Sequence, residues 1–162
     1  MALITLNNQS ISEITSAGLP TGTIIQNVSN IDNTGYTTTS SSFQDATNYA
    51  VSLTPSSSSN KVYISYVLWG FVENTNHHLS WSLKRTTGGV DTILASTSHG
   101  FSSFYSHSGT SMQGACVCSI IDNPSTTSAV TYTPLFKSNN GSTVRLGFSS
   151  RRGSTVAFEI KG

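Results

Sequence analysis

The residues of this chain that could carry chemistry are four histidines, seven acids and two cysteines, set among thirty serines. So many serines make Ser-His-Asp combinations easy to assemble on paper, yet the G-x-S-x-G nucleophile elbow is missing. Glycosidases need two acids that flank a cleft, and here the acids are scattered. They are Glu13, Asp32, Asp45, Glu73, Asp91, Asp122 and Glu159. The sequence therefore predicts a protein that is not an enzyme and has no catalytic residues.

Metal and cofactor motifs are also missing. His77 and His78 are adjacent, so on a strand they point to opposite faces. His99 and His107 lie in a serine-rich segment with no Cys or acid at ligand spacing. The phosphate-binding patterns G-x-x-x-x-G-K-S/T and G-x-G-x-x-G do not occur. We expect neither a metal nor a cofactor.

The segment Ser98–Gly109, SHGFSSFYSHSG, gathers aromatic and imidazole side chains among small residues. Such aromatics can stack on a sugar face or anchor a protein contact. A second interpretation stays open, in which the phenylalanines fold back as an apolar plug over the end of the domain or pack between subunits. The candidate receptor or subunit contacts are Phe101, Phe104, Tyr105 and His107.

Composition excludes several partners. Only 9% of the 162 residues are charged and the net charge is +1, whereas nucleic-acid binders need clustered cations to displace counterions. Ser, Thr and Asn number 30, 22 and 12, so hydroxyls and amides must solvate most of the surface. We expect no nucleic acid, and composition implies no acidic or basic partner.

Cysteine use and apolar runs indicate the compartment. Cys116 and Cys118 are too few for a disulfide scaffold, and we expect free thiols in a reducing compartment. The start MALITLNNQS lacks the basic and apolar regions of a signal peptide. The most apolar stretch, Val62–Val72, is well short of the roughly 20 residues of a spanning helix. We therefore expect no membrane insertion.

The elements that must position these residues are strands, because apolar and polar residues alternate with a period of two. The alternating apolar sets are Tyr49, Val51 and Leu53; Leu79, Trp81 and Leu83; Val130, Tyr132 and Phe136; Val144, Leu146 and Phe148; and Val156, Phe158 and Ile160. Each predicts a strand with one buried face. The run Val62–Trp69 is apolar on both faces, which predicts a central strand covered on each side, with Trp69 in the core.

Turn signals separate these strands, and Asn140-Gly141 is the strongest, because a type I′ hairpin needs positive φ at both central residues. Short strands at this spacing, about ten in all, predict an all-β fold. The expected architecture is an antiparallel β-sandwich that is jelly-roll-like.

Residues 1–22 behave differently, because most of this segment is polar and lacks sustained alternation. We predict an extended N-terminal arm over 1–22 that docks on a partner or a neighbouring copy, followed by one β-sandwich domain over 23–162. The candidate docking residues are Leu3, Ile4, Leu6, Ile11, Ile14 and Leu19.

Several phrases of the sequence carry a resemblance to a known family. They are ITLNNQSISEITSAGLPTGTIIQ, TTTSSSFQDATNYAVSLTPSSSSNKVYISYVLWG, SIIDNPSTTSAVTYTPLFKS and STVAFEIKG. Together they resemble short virion structural or tail-fibre-like proteins of marine tailed bacteriophages, including cyanophages. The likeness covers most of the chain and weakens between about residues 73 and 109.

This resemblance implies a non-enzymatic β domain on a virion, assembled in the cytoplasm of a bacterial host as a homotrimer. The arm would then dock on other virion proteins. Two placements stay open: a tail fibre or appendage that contacts a host glycan or protein, and a head decoration protein that stabilises the capsid. A carbohydrate-binding module without a virion is the third hypothesis.

Overall fold

A computed structural model describes residues 18–73, 77–95, 98–107 and 110–162. These residues form twelve β-strands and one turn of 3-10 helix at Thr47–Tyr49. The strands are β1 Ile24–Asp32, β2 Tyr36–Thr38, β3 Gln44–Asp45, β4 Val51–Leu53, β5 Lys61–Val72, β6 His77–Thr87, β7 Val90–Ile93, β8 Ser102–Ser106, β9 Met112–Asp122, β10 Val130–Ser138, β11 Val144–Leu146 and β12 Gly153–Ile160.

The strands form two six-stranded sheets. In the first sheet, β12 and β11 pair with successive parts of one edge of β5, and β9 pairs along the other edge. β1 lies beyond β12, and β2 lies beyond β11. In the second sheet, β10 pairs with β6 on one side and with β3 and β4 on the other, while β7 and β8 pair with β6. All these pairs are antiparallel.

This architecture confirms the predicted all-β class and the antiparallel sandwich, with more strands than the sequence indicated. The first strand begins at Ile24, next to the predicted start of the domain. Among the described residues, no helix has the length and apolar character needed to cross a bilayer.

The core fills the space between the two sheets, where burial of apolar surface is the main driving force for folding. β5 and β9 contribute from one side, and β6 and β10 from the other. The largest fully buried hydrophobic and aromatic side chains include Tyr49, Tyr66, Tyr132, Phe136, Ile64, Leu68, Leu79, Leu83, Leu135 and Leu146.

Pro134 lies in the middle of β10, where a strand normally needs every backbone N–H. Its carbonyl accepts a hydrogen bond from the Ala46 N–H at 2.9 Å. In a strand, the N–H and C=O of one residue point to the same side, so the missing N–H of Pro134 faces the gap between β3 and β4. The 3-10 turn at Thr47–Tyr49 follows Ala46 in that gap, and no ladder hydrogen bond is lost.

Strand β6 is buried on both faces at its centre, although the sequence predicted one buried face. The chain folds back over the outer side, where Ser80 and Ser82 have no exposed surface. Ser82 Oγ donates to the carbonyl of Ala95 at 3.0 Å, and Asn139 Nδ2 donates to Ser80 Oγ at 2.7 Å. Small hydroxyls can be covered here because each has a hydrogen-bond partner.

Polar contacts join the two sheets at specific points. The Trp81 indole N–H donates to the Val117 carbonyl at 2.9 Å. Arg85 Nη1 donates to both carboxylate oxygens of Asp122 at 2.9 and 3.0 Å, and the Tyr132 hydroxyl donates to the same carboxylate at 2.8 Å. Burial and this carboxylate raise the pKa of Tyr132, so its hydroxyl remains a donor.

Candidate functional site

The outer face of the first sheet, on the side away from the core, has two rows rich in apolar side chains with a row of mainly serines between them. We call three of its cross-strand rows the apolar face. The rows are Ile121, Tyr63, Phe158 and Asn27; Ser119, Ser65, Val156 and Ser29; and Val117, Val67, Ser154 and Ile31. No acid, lysine, arginine or histidine is among these twelve residues. Four of the side chains expose 47 to 63% of their surface, namely Ile31, Val67, Val117 and Ile121.

Strand β12 has the opposite polarity from the one predicted. Val156, Phe158 and Ile160 were expected on a buried face, but they lie half-buried on the outer side. The inward residues of this stretch include Ala157 and Glu159, both with no exposed surface. The register with β5 fixes this orientation, since Phe158 pairs with Tyr63 and their rings stack at 6.0 Å on the outer side.

Glu159 is tolerated inside because donors from two other segments, β1 and the loop between β4 and β5, surround its carboxylate. Oε1 accepts from the Ser56 N–H and hydroxyl at 2.7 and 2.8 Å and from Asn60 Nδ2 at 2.6 Å. Oε2 accepts from Gln26 Nε2 at 2.5 Å. Burial would raise the pKa of Glu159, but these hydrogen bonds outweigh burial and hold the pKa below its usual value.

Trp69 lies on the outer face of the first sheet, so its predicted place in the core is wrong. β5 is central within its sheet, as predicted, but the described residues cover only its inner side. The Trp69 ring lies 5.6 Å from that of Phe71, nearly parallel at 9°, and 5.1 Å from that of Phe148. The Arg151 guanidinium carbon lies 5.1 Å from the Trp69 ring centroid.

Phe148 joins this cluster because of Gly147. The alternation Val144, Leu146, Phe148 predicted three inward side chains, and the first two are indeed buried. Gly147 has a φ of +72°, and a Cβ there would lie 2.2 Å from the Thr34 carbonyl oxygen. The left-handed backbone at Gly147 breaks the alternation, so Phe148 lies on the outer side beside Trp69.

A cavity of about 550 Å³ opens beside Trp69 on this surface. Its lining includes Gln113, Arg151 and Arg152, and a smaller cavity of about 260 Å³ shares Trp69, Gln113 and Arg151 and adds Phe148. We call Trp69, Gln113, Phe148, Arg151 and Arg152 the Trp69 site. It combines aromatic surface, guanidinium groups and an amide, which is the chemistry of a binding site.

The structure separates the four residues predicted as receptor or subunit contacts. Their segment includes strand β8. Phe101 and Phe104 pack against the core, as in the plug alternative. Tyr105 is 43% exposed and His107 is exposed, with ring centroids 6.2 Å apart. Contact through Tyr105 and His107 remains a prediction.

Glycines on the first sheet make room for the Phe104 ring. A Cβ on Gly114 or on Gly70 would each lie 3.0 Å from a ring carbon of Phe104. The ring also lies 4.9 Å from that of Trp81, centroid to centroid. Phe104 therefore closes one end of the core.

Histidines and cysteines form no reactive centre in the ranges described. His78 lies 4.5 Å from Tyr105 and 5.6 Å from His99, between ring centroids. Burial and the neighbouring imidazoles lower the pKa of His78. Within these ranges no three His, Cys, Asp or Glu side chains are placed to hold a metal ion. Cys116 and Cys118 are free and buried, and burial raises the pKa of Cys118 to about 12.

Most of the predicted docking arm lies outside the described residues, including Leu3, Ile4, Leu6, Ile11 and Ile14. Leu19 is described and half-buried, and its carbonyl accepts a hydrogen bond from Lys161 Nζ. The Gly22 N–H donates to the Lys161 carbonyl at 2.8 Å. The described end of the arm is thus held beside the end of β12.

The sequence did not predict the Trp69 site, because Arg151-Arg152-Gly153 has the form of one of the turn signals that separate the strands and suggests no other role. One signal was present: two adjacent arginines stand out in a chain with only 9% charged residues. The residues that lie beside these arginines, Trp69 and Gln113, are brought there by the pairing of β5 with β9, which the local sequence does not specify.

No protein-family model and no curated protein matches the chain. Solved structures that resemble it include the infectious bursal disease virus Gx strain, with 9% identity and a TM-score of 0.41. A VP2 subviral particle of that virus has 8% identity and a TM-score of 0.41. A mutant VP2 protein from T=1 particles has 7% identity and a TM-score of 0.43.

Each of these alignments covers all of this chain and 41 to 42% of the viral chain. The chain therefore spans about two fifths of the length of the proteins it resembles. At these identities the likeness concerns the β architecture alone.

Proposed function

We propose that the chain is a non-enzymatic structural subunit of a virus particle that packs on neighbouring copies of itself through the apolar face. The sequence phrases that resemble virion proteins of marine tailed phages support the particle role. The packing rests on a separate observation, the outward apolar side of β12.

β12 carries apolar side chains on its outer side, as a strand that packs against a neighbouring subunit would. A sheet that faces water on one side normally alternates apolar inward and polar outward. Here Val156 and Phe158 point outward, while Glu159 is held inward by four hydrogen bonds. Exposed apolar side chains gathered on one face among uncharged polar residues favour an interaction site.

A second copy fits this face better than a charged partner. The twelve residues of the apolar face offer hydroxyls, amides and apolar groups but no ionic side chain. The cores of subunit interfaces are depleted of charge in the same way. The second sheet, by contrast, is covered by its own chain over Ser80 and Ser82.

The finer proposal is a tail fibre or appendage component that forms a homotrimer, docks on other virion proteins through residues 1–22 and contacts the host surface. Its location is the virion, assembled in the bacterial cytoplasm. A head decoration protein is the alternative placement, and the apolar face suits it equally. A carbohydrate-binding module is a second candidate, favoured by the Trp69 site.

Sedimentation of the full chain tests the packing, with two variants that place a new carboxylate on different surfaces. Val117→Glu changes the apolar face at a side chain 47% exposed, and Val90→Glu changes β7 at one 68% exposed. Both positions are exposed enough for the fold to persist, which circular dichroism can verify. We expect trimers at micromolar concentration for the parent and Val90→Glu, and monomers for Val117→Glu, because burying an unpaired charge is costly.

A monomeric parent, or a Val117→Glu variant that assembles normally, would contradict packing through this face. Antibody labelling of purified particles then tests the placement. Label on the tail supports the appendage, label on the head supports the decoration protein, and particles that lack the chain would overturn the particle role.

A further inference from the structure

The charges at the Trp69 site differ from those elsewhere in the molecule. Arg85 pairs with Asp122, and Arg145 pairs with Glu73. Arg151 and Arg152 are both exposed, and within the described ranges their guanidinium groups have no carboxylate partner. Two of the four arginines thus line one cavity without a carboxylate partner among the described residues.

Asp32 lies near this pair but forms no ion pair with it. Asp32 and Arg152 line the same neighbouring cavity, of about 350 Å³, and no salt bridge joins them. The Asp32 carboxylate instead accepts a hydrogen bond from the Thr34 N–H at 2.6 Å. Among the described residues, no carboxylate is bound to either guanidinium group, so both can bind an added anion.

The neighbouring groups favour a sugar as the carrier of that anion. Trp69 and Phe148 offer apolar surface that suits one face of a pyranose ring once the Arg151 guanidinium, which lies over the Trp69 ring, turns toward a bound carboxylate. Gln113 has both a donor and an acceptor for hydroxyl groups. Arginine binds carboxylates through two parallel hydrogen bonds. A cavity of about 550 Å³ is within the size range of small-ligand sites.

We propose that the Trp69 site binds an acidic saccharide of the uronic acid class, with a sugar face against the aromatic cluster and its carboxylate on Arg151 and Arg152. The site lies beside the apolar face, where two unpaired guanidinium groups would be costly to bury in a dry subunit contact. This inference deepens the second candidate function, carbohydrate binding, by naming the class of sugar, and it does not depend on the particle role because all the lining residues belong to one copy of the chain.

Tryptophan fluorescence can follow binding in the full-length protein. The chain has two tryptophans, and Trp81 is only 4% exposed. A change on titration therefore reports mainly on Trp69. We expect a saturable change with a short oligogalacturonate and at least about tenfold weaker binding of the neutral galactose oligomer of equal length, a difference of about 1.4 kcal/mol.

Two variants locate the site. Arg151→Gln combined with Arg152→Gln removes both charges and should weaken oligogalacturonate binding by at least about tenfold. Lys137→Gln is the matched control, because Lys137 also lies over an aromatic ring, 4.9 Å from the centroid of Phe43, but on the second sheet. This control should bind like the parent, and the unfolding temperatures of all three proteins should agree.

Four results would overturn the proposal. They are equal binding of the neutral oligomer, unchanged binding by the double variant, equal binding of an oligoglutamate peptide, and a Trp69 that acrylamide fails to quench in the parent. The last result would mean that an assembled neighbour covers the site. Failure of the particle role leaves these titrations unchanged, because they need only the isolated protein.

Discussion

At the scale of single residues, the burial of the Glu159 carboxylate depends on hydrogen bonds from neighbouring side chains. Its carboxylate is fully buried and accepts hydrogen bonds from Gln26, Ser56 and Asn60. Glu159→Gln replaces an oxygen acceptor by an amide donor among these donors. We expect a loss of about 1–3 kcal/mol in the free energy of unfolding at neutral pH.

The same substitution should alter the dependence of stability on pH. The folded-state pKa of Glu159 lies below the unfolded value of about 4.3. The ionised carboxylate therefore stabilises the folded protein above that value, and this part of the free energy of unfolding is lost as pH falls through the folded-state pKa. Urea unfolding across this range should show weaker acid destabilisation in Glu159→Gln. Glu73→Gln, which breaks a half-exposed pair with Arg145, is the control and should cost less than about 1 kcal/mol.

The two tryptophans provide a second residue-scale prediction. Trp81 is buried in the core, whereas Trp69 is half-buried on the outer face. Trp81→Ala should cost about 3–5 kcal/mol, and Trp69→Ala less than half as much. Chemical denaturation of both variants measures this difference. Equal losses in the free energy of unfolding would indicate that Trp69 lies in the core, as the sequence predicted.

Glu159 and Trp69 show that the local sequence does not determine which face of a strand meets the core. Alternation predicts that residues 156, 158 and 160 share one face, but it does not say whether that face meets the core or another subunit. Burial of Glu159 needs donors from residues 26, 56 and 60, which are distant in the chain. The sequence correctly predicted that β5 is apolar on both sides, yet the described residues cover only its inner side.

At the scale of elements, the strand positions were largely predictable from alternation. The Asn140-Gly141 pair is not the type I′ hairpin that the sequence predicted, because Gly141 alone of the two has a positive φ and the flanking strands β10 and β11 lie in different sheets. The exceptions are places where backbone geometry or a covering segment overrides the pattern. Gly147 redirects Phe148, and the segment at Ala95 covers the outer side of β6. The Phe104 plug needs Gly70 and Gly114 opposite it, a contact that only the folded sheets define.

Two glycines allow a controlled test of the bend after β11. Gly147 and Gly141 have φ of +72° and +80°, but a Cβ would clash only at Gly147, since nothing lies within 4 Å of one at Gly141. Gly141→Ala should cost about 1–2 kcal/mol for the left-handed backbone. Gly147→Ala should cost clearly more, because the Thr34 carbonyl must also move. Thermal unfolding of both variants measures the two losses of stability. Equal losses would mean that the backbone around residue 147 shifts to accept a Cβ.

At the scale of the whole molecule, the described strands begin at Ile24, so we expect the sandwich to fold without the arm. Among the described residues, removing residues 1–22 deletes the contacts of Leu19 and Gly22 with Lys161, and no described strand pairing involves 18–22. We expect the unfolding temperature to fall by less than about 5 °C, with the β-rich circular dichroism retained. Loss of the folded signal would show that the arm belongs to the domain.

The place of β12 in the first sheet has a consequence for how the protein forms during synthesis. β12 is the last of the described strands, yet it lies between β1 and β5, which are made earlier. β1 can pair with its neighbour only after residue 160 has emerged from the ribosome. Until then one edge of β5 has no neighbour along residues 61–67, and an open strand edge invites pairing with another chain. Such distant pairing is slow to form, so the first sheet has its greatest risk of aggregation just before β12 is added.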